Sequence, residues 1–276
     1  MGQWNYWKHM KHYQEELRER ALGNLPEMEA AKHLTELVSR DYSIGEEILD
    51  VGCGTGHFIL SLREHLPDLH YTGVDLTWEN ILNARTIFPD HNYRFLEGDA
   101  RRLPFLDNQF DISICSNTLP HIPNPLQAVR ELIRVTRRRV LIRMLVGHET
   151  MITKKALNNE FDEQGEPVSF MYVNIFSEQL IRETVQQLSS DCAVRFHDDL
   201  FDQHKIQQHF ERHKHTAGES IATRIVDGVQ FKGYLLLPWK VLDVTTKAID
   251  GIHLLALLLM QLVQWGLLQD SLALAH

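Results

Sequence analysis

Short runs rich in Ile, Val, Leu and aromatic residues alternate along the first half of the chain with stretches whose apolar positions recur every three or four residues. The runs at 46–52, 69–76, 93–99, 110–117 and 138–146 predict strands. The stretches at 57–66 and 77–88, and another beginning at Pro125, predict the helices between them. Asn124, with Gln127 three residues on, offers an N-cap to the third of these helices. The run at 138–146 is apolar enough for a central strand covered on both faces. Repeated strand–helix units demand an α/β fold: a doubly wound, mostly parallel sheet with right-handed crossovers.

The flanks follow other rhythms. Trp4, Trp7, Met10, Tyr13 and Leu17 form a helical stripe, and Pro26 suits the first turn of a second helix with Met28, Ala31, Leu34 and Val38 inward. This pair either covers one face of the sheet or closes over a ligand, and the two readings are compatible. Residues 147–174 are polar, with a turn at Gln164–Gly165, and predict an insertion over the carboxyl edge of the sheet. Ser177 predicts an N-cap for a helix through Leu188, and 192–196 another strand. Residues 221–226 and 229–237, around Asp227–Gly228, predict a hairpin whose second arm is an antiparallel edge strand. From 252 to 268 there is no Asp, Glu, Lys or Arg, but His253, Gln261, Gln264 and Gly266 interrupt the run, which is at the short limit for a membrane span. An apolar helix docked on the domain or on a second subunit leads there, with a membrane-surface anchor and a poorly ordered tail left open. The division that follows is 1–42 as a helical cap, 43–242 as the main domain with insertions near 147–176 and 197–220, and 243–276 as an apolar helical tail.

Composition narrows the function. With 276 residues, 43% hydrophobic and 24% charged, the chain matches an ordinary soluble enzyme-sized unit. A net charge of -9 argues against nonspecific nucleic-acid binding, so no nucleic-acid partner is expected. The basic runs Arg101–Arg102 and Arg137–Arg139 are expected to be solvated ends of a loop and a helix. There is no charged leader before an apolar core, and Cys53, Cys115 and Cys192 form no C-x-x-C pair; both features point to a cytoplasmic protein with reduced thiols.

The most informative run is I-L-D-V-G-C-G-T-G at 48–56, a buried strand turning at Gly52, Gly54 and Gly56 into a helix. Turns of this kind place ligands at the carboxyl end of the first strand of an open α/β sheet. His57 stands where a dinucleotide fingerprint wants glycine, and Asp50 suits a cationic ligand better than a pyrophosphate. Three further motifs follow in order: Y-T-G-V-D-L at 71–76, L-E-G-D-A at 96–100, and F-D-I-S-I-C-S-N-T-L-P-H-I at 110–122. Together they resemble the class I S-adenosylmethionine-dependent methyltransferases over residues 46–146. The turn before the fifth strand departs from that family, with V-T-R-R-R at 135–139 replacing the usual L-K-P-G-G.

The resemblance implies a seven-stranded Rossmann-like sheet and S-adenosyl-L-methionine as cofactor. It implies a cofactor site of Asp50, Gly52, Cys53, Gly54, Thr55, Gly56, Asp75, Leu76, Asp99, Ala100 and Asn117, with Asp75 holding the ribose hydroxyls and Asp99 and Ala100 flanking the adenine. The acceptor is expected to be a small molecule with an O or N nucleophile. His121 and His148 are the candidate catalytic bases, each with a structural role as the competing reading. The histidine-rich run at 197–215 places His209 and His213 on one helical face but lacks a third ligand at set spacing, so no metal is expected. A nicotinamide-dependent oxidoreductase and a non-catalytic cofactor-binding scaffold are the alternatives. The apolar tail is the candidate surface for a homodimer or for membrane contact.

Overall fold

A computed structural model describes residues 10–189, 191–199, 223–226, 229–232, 235–237 and 239–246. The sheet is built from β1 (Glu47–Val51), β2 (His70–Asp75), β3 (Tyr93–Glu97), β4 (Phe110–Ser116) and β5 (Thr136–Gly147), which run parallel in the order β3-β2-β1-β4-β5. Helices α1 (Lys11–Ala21) and α2 (Glu29–Ser39) precede β1, while α3 (Phe58–His65), α4 (Trp78–Ile87) and α5 (Pro125–Val135) follow β1, β2 and β4. The order reverses between β1 and β4, so the strand ends part there and leave a crevice.

Both faces of the sheet are covered, as double winding requires. One core joins Leu34, Leu37 and Val38 of α2, Ile59 and Leu62 of α3 and Ile81 of α4 to Ile48, Tyr71 and Phe95. The other joins Ala128, Val129 and Leu132 of α5 and Ile181 and Val185 of α6 (Glu178–Leu188) to Val51, Val140, Ile142 and Met144. Ser177 caps α6 as expected, accepting from the Leu180 amide. Helix α5 ends at Val135 and β5 begins at Thr136 with no loop between, the tighter junction that the V-T-R-R-R segment foretold.

Several expectations change. The segment 147–174 is more than a polar insertion: β6 (Met151–Ala156) and β7 (Phe170–Ser177) form an antiparallel hairpin, and β7 joins the sheet beside the end of β5. β6 leaves most of its side chains exposed, so it lacks the alternation that betrays a half-buried strand. The antiparallel strand of the sheet is β12 (Trp239–Thr245), and it lies inside, between β5 and the edge strand β8 (Ala193–Asp198). Its buried Trp239, Val241, Leu242 and Val244 need cover on both faces, whereas β8 is half exposed. The hairpin expected at 221–237 is instead three strands, β9 (Thr223–Val226), β10 (Val229–Lys232) and β11 (Leu235–Leu237), in a separate sheet. Asn124 sits in the left-handed region and gives α5 no side-chain cap; its amide donates to Gln127 instead. Pro26 lies in the loop before α2, where its carbonyl accepts from Arg20.

The arginine run at the start of β5 passes from an exposed Arg137 to a buried Arg139, and each member is paired. Arg137 bonds Asp111, Arg138 bonds Asp41 and Glu46, and the buried Arg139 bonds Asp243, Asp41 and the Leu37 carbonyl. Among the described residues no helix is long and apolar enough to cross a membrane, and no metal-binding cluster of His, Cys, Asp or Glu occurs. Trp4, Trp7, His209, His213 and the apolar run at 252–268 lie outside the described residues.

Candidate active site

The crevice between β1 and β4 opens into a cleft bounded by the ends of β1, β2, β3 and β4, with Tyr13, Gln14 and Leu17 of α1 across from them. Its first wall is the glycine turn. Gly52, with φ of +79°, adopts the left-handed backbone that glycine tolerates, and its amide and that of Cys53 donate to the Val74 carbonyl. A Cβ at Gly52 would stand 1.8 Å from Thr118 Oγ1, so the turn after β1 presses directly on the loop after β4. Thr55 and Gly56 do not line the cleft. Thr55 turns away, and its buried hydroxyl donates to the Leu17 carbonyl at 2.7 Å, latching α1 to the turn.

Three carboxylates mark the strand ends. Asp50 is buried beneath the turn and accepts from the Tyr71 hydroxyl at 2.6 Å. Burial drives its carboxyl up to about 7, against the Tyr71 hydrogen bond and with help from the charge of Asp75. Asp75 ends β2 and accepts from the amides of Gly54 (2.9 Å) and Thr77 (2.8 Å) and from Asn80 Nδ2 (3.3 Å). Burial still raises its carboxyl above the usual range. Asp99 follows β3 and is gripped side-on by the Arg101 guanidinium and by the Arg101 amide. Burial raises the Asp99 carboxyl, but those bonds outweigh it and leave a net lowering. Cys53, Leu76 and Ala100 complete this wall, and burial lifts the Cys53 thiol well above its ordinary value.

The floor is the segment after β4. Ser116, Asn117, Thr118, His121 and Ile122 all face the cleft, and Asn117 is left-handed with φ of +59°. His121 ends a short 3-10 turn, Leu119–His121, where Nδ1 donates to the Tyr172 carbonyl of β7 at 3.0 Å. Burial holds its imidazole down to about 4, so it is neutral at ordinary pH with the Nε2 lone pair as its acceptor. His148 is a correction: β5 runs on to Gly147 and the chain then bends out into the β6–β7 hairpin, leaving His148 exposed and away from the cleft.

Sequence reasoning missed what fixes this floor. Arg143, fully buried in β5, bonds the Asn117 side-chain oxygen through Nη1 and pairs with Asp199 through Nε and Nη2. Its guanidinium lies over the Trp239 ring, 4.4 Å from the centroid. The signal was present as a lone arginine inside the apolar run V-L-I-R-M-L-V, since a charge there must find a buried partner. Tyr13, Gln14, His57 and Asn80 also line the cleft without having been singled out for it.

These residues fit a cationic nucleoside. The glycines let the turn pack closely under Thr118 and Leu17 at the edge of the cleft, Asp50 supplies a buried carboxylate beneath it, and Asp75 stands one strand over. A family model described as a methyltransferase domain matches residues 48–139. A demethylmenaquinone methyltransferase of Listeria monocytogenes is 36% identical over 96 residues, covering 33% of this chain and 40% of that one. Its counterpart in Staphylococcus aureus is 34% identical over 119 residues, covering 41% and 49%. An S-adenosylmethionine-dependent methyltransferase of Thermotoga maritima shares the fold at a TM-score of 0.50 and 16% identity, over 89% of this chain and all of that one. Residues 48–139 thus match a methyltransferase domain, carried on a sheet of Rossmann-like strand order. The chain spans about two fifths to one half of the length of these curated relatives.

Proposed function

We propose that this protein transfers the methyl group of S-adenosyl-L-methionine to a small-molecule acceptor through an O or N nucleophile. The observation that carries this reading is the glycine turn at Gly52, set between the buried Asp50 and the half-buried Asp75 at the point where the sheet order reverses. When bound, the cofactor supplies a methyl carbon on a positively charged sulfur, open to in-line displacement. Asp50 and the turn from Gly52 to Gly54 would hold its ammonium end, Asp75 its sugar, and Leu76, Asp99 and Ala100 its base. Thr55 and Gly56 shape the turn from behind.

Ser116, Asn117 and His121 form the floor against which an acceptor would lie, and α1 closes the opposite side against water. Holding the reacting atoms in line accounts for much of the acceleration such a transfer needs. His121 orients a hydroxyl or amine through Nε2, because a base held near pKa 4 takes a proton only fleetingly. A pH–rate profile therefore shows no limb near pH ~6.5 that is lost in His121→Ala; finding one would return His121 to the role of general base.

The family model's match stops at residue 139, before the β6–β7 hairpin and residues 197–220, which would shape the acceptor pocket. Residues 1–42 would then act as a cap, 43–242 as the catalytic domain and 243–276 as a docking tail, in a cytoplasmic enzyme that dimerises or meets a membrane surface through 252–268. The test is calorimetric titration with S-adenosylhomocysteine and with NAD, followed by transfer of labelled methyl to phenols, amines and demethylmenaquinone. Binding of the first ligand with transfer supports the proposal. Binding of NAD alone would make the protein an oxidoreductase, and binding without transfer would leave a scaffold.

A further inference from the structure

Asp75 is crowded by its own protein. A carboxylate offers about four lone-pair positions. The Gly54 amide takes one on Oδ2, and on Oδ1 the Thr77 amide and Asn80 Nδ2 take two. Little of Asp75 is left to accept from a sugar diol, which brings two hydroxyl donors side by side.

The missing acceptor stands next to it. Asn80, in the first turn of α4, is 6% exposed and lines the cleft, and its Oδ1 is buried with no hydrogen-bond partner. An unpaired buried carbonyl oxygen costs on the order of 1–3 kcal/mol. Rotating the amide would not relieve it, because Oδ1 would then face Asp75 Oδ1, acceptor against acceptor. Asp75 therefore fixes which way the carboxamide points, with Nδ2 committed to the carboxylate and Oδ1 left for a donor that the protein does not supply. Neither a solvated surface role nor an apolar packing role needs an amide here.

We infer that Asn80 is a cofactor-binding residue, and that the ribose diol is divided, one hydroxyl donating to Asp75 and the other to Asn80 Oδ1. The division rests on the S-adenosylmethionine reading of the cleft. It makes adenosine recognition in this chain a two-residue matter, with Asn80 serving twice: it steadies Asp75 through Nδ2 and reads the sugar through Oδ1.

The test is calorimetric titration of the full chain with S-adenosylhomocysteine and with its 2′-deoxy and 3′-deoxy forms. Wild type is compared with Asn80→Leu and Asn80→Asp, with circular dichroism and thermal melting to show that each variant is folded. Asn80→Leu should bind S-adenosylhomocysteine about 10- to 100-fold more weakly, the ratio that loss of one or two net hydrogen bonds represents. Asn80→Asp keeps an acceptor but sets a second carboxylate against Asp75 Oδ1, so it should bind no more tightly than Asn80→Leu. The decisive comparison is with the deoxy ligands: for one of the two the loss from wild type to Asn80→Leu should be clearly smaller than for S-adenosylhomocysteine, since the hydroxyl that Asn80 reads is already gone and only its support of Asp75 is lost. Equal affinity of wild type and Asn80→Leu for S-adenosylhomocysteine would overturn the inference, as would losses that simply add for both deoxy ligands. If wild type fails to bind S-adenosylhomocysteine at all, the cofactor reading itself falls, and that result is distinguishable from either of these.

Discussion

Asp50 carries the most unusual chemistry of any single residue here, a carboxyl sealed under the glycine turn and held near pKa 7 chiefly by burial. Its folded-state value lies above the ordinary carboxylate value, so the neutral form favours the fold. That contribution is complete below about pH 4 and is lost as pH rises through about 7. The ligand-free protein should accordingly lose stability from about pH 4 to about pH 7 relative to Asp50→Asn, read as a difference in melting temperature. A bound ammonium favours the ionised form, so S-adenosylhomocysteine binding at pH ~7 should release about half a proton. Titration in two buffers of different ionisation enthalpy measures this directly; identical heats would remove Asp50 from the ammonium. Its place was legible in the sequence because a carboxylate two residues before a strand-ending glycine is locally determined. Asn80 was not, because its meaning depends on a hydrogen bond to Asp75 that only the folded turn creates.

At the scale of elements, the cleft depends on how α1 and the β6–β7 hairpin are tied to the strand ends. Thr55 holds α1 through the Leu17 carbonyl, and the hairpin holds the floor through Tyr172 to His121 and through Asn174 to Ile122. Thr55→Val keeps the shape and removes the second donor to the Leu17 carbonyl, so chemical denaturation should show a loss of about 0.5–1.5 kcal/mol with weaker S-adenosylhomocysteine binding. An unchanged midpoint would mean that the latch contributes nothing. The five parallel strands were readable because each is a continuous apolar run between turn signals. β6 was not, since M-I-T-K-K-A presents mixed polarity on both faces and is held by pairing with β7 rather than by burial. The partner of Arg143 escaped notice for a related reason, lying 56 residues along the chain.

For the whole molecule, the fold and its cofactor half are the legible part, and the acceptor half is not. Four motifs in order fix the strand ends around the cleft, while the segments beyond β5 have no such local signature. Any ligand that binds only the folded state stabilises all of it. At about 100 times its dissociation constant, S-adenosylhomocysteine should add about 2.7 kcal/mol, which for a domain of this size corresponds to roughly 5–10 °C in Tm. NAD should give no shift, and a shift with NAD alone would reverse the assignment.

The contact between the glycine turn and Thr118 has a consequence for inheritance. The Thr118 hydroxyl donates to the Ser116 carbonyl, so it has no room to swing away from a methyl group arriving at position 52. Two stretches of chain more than sixty residues apart are therefore bound to one fate. A descendant that gives up the glycine must reshape the loop after β4 in the same lineage, and with that loop the floor of the cleft.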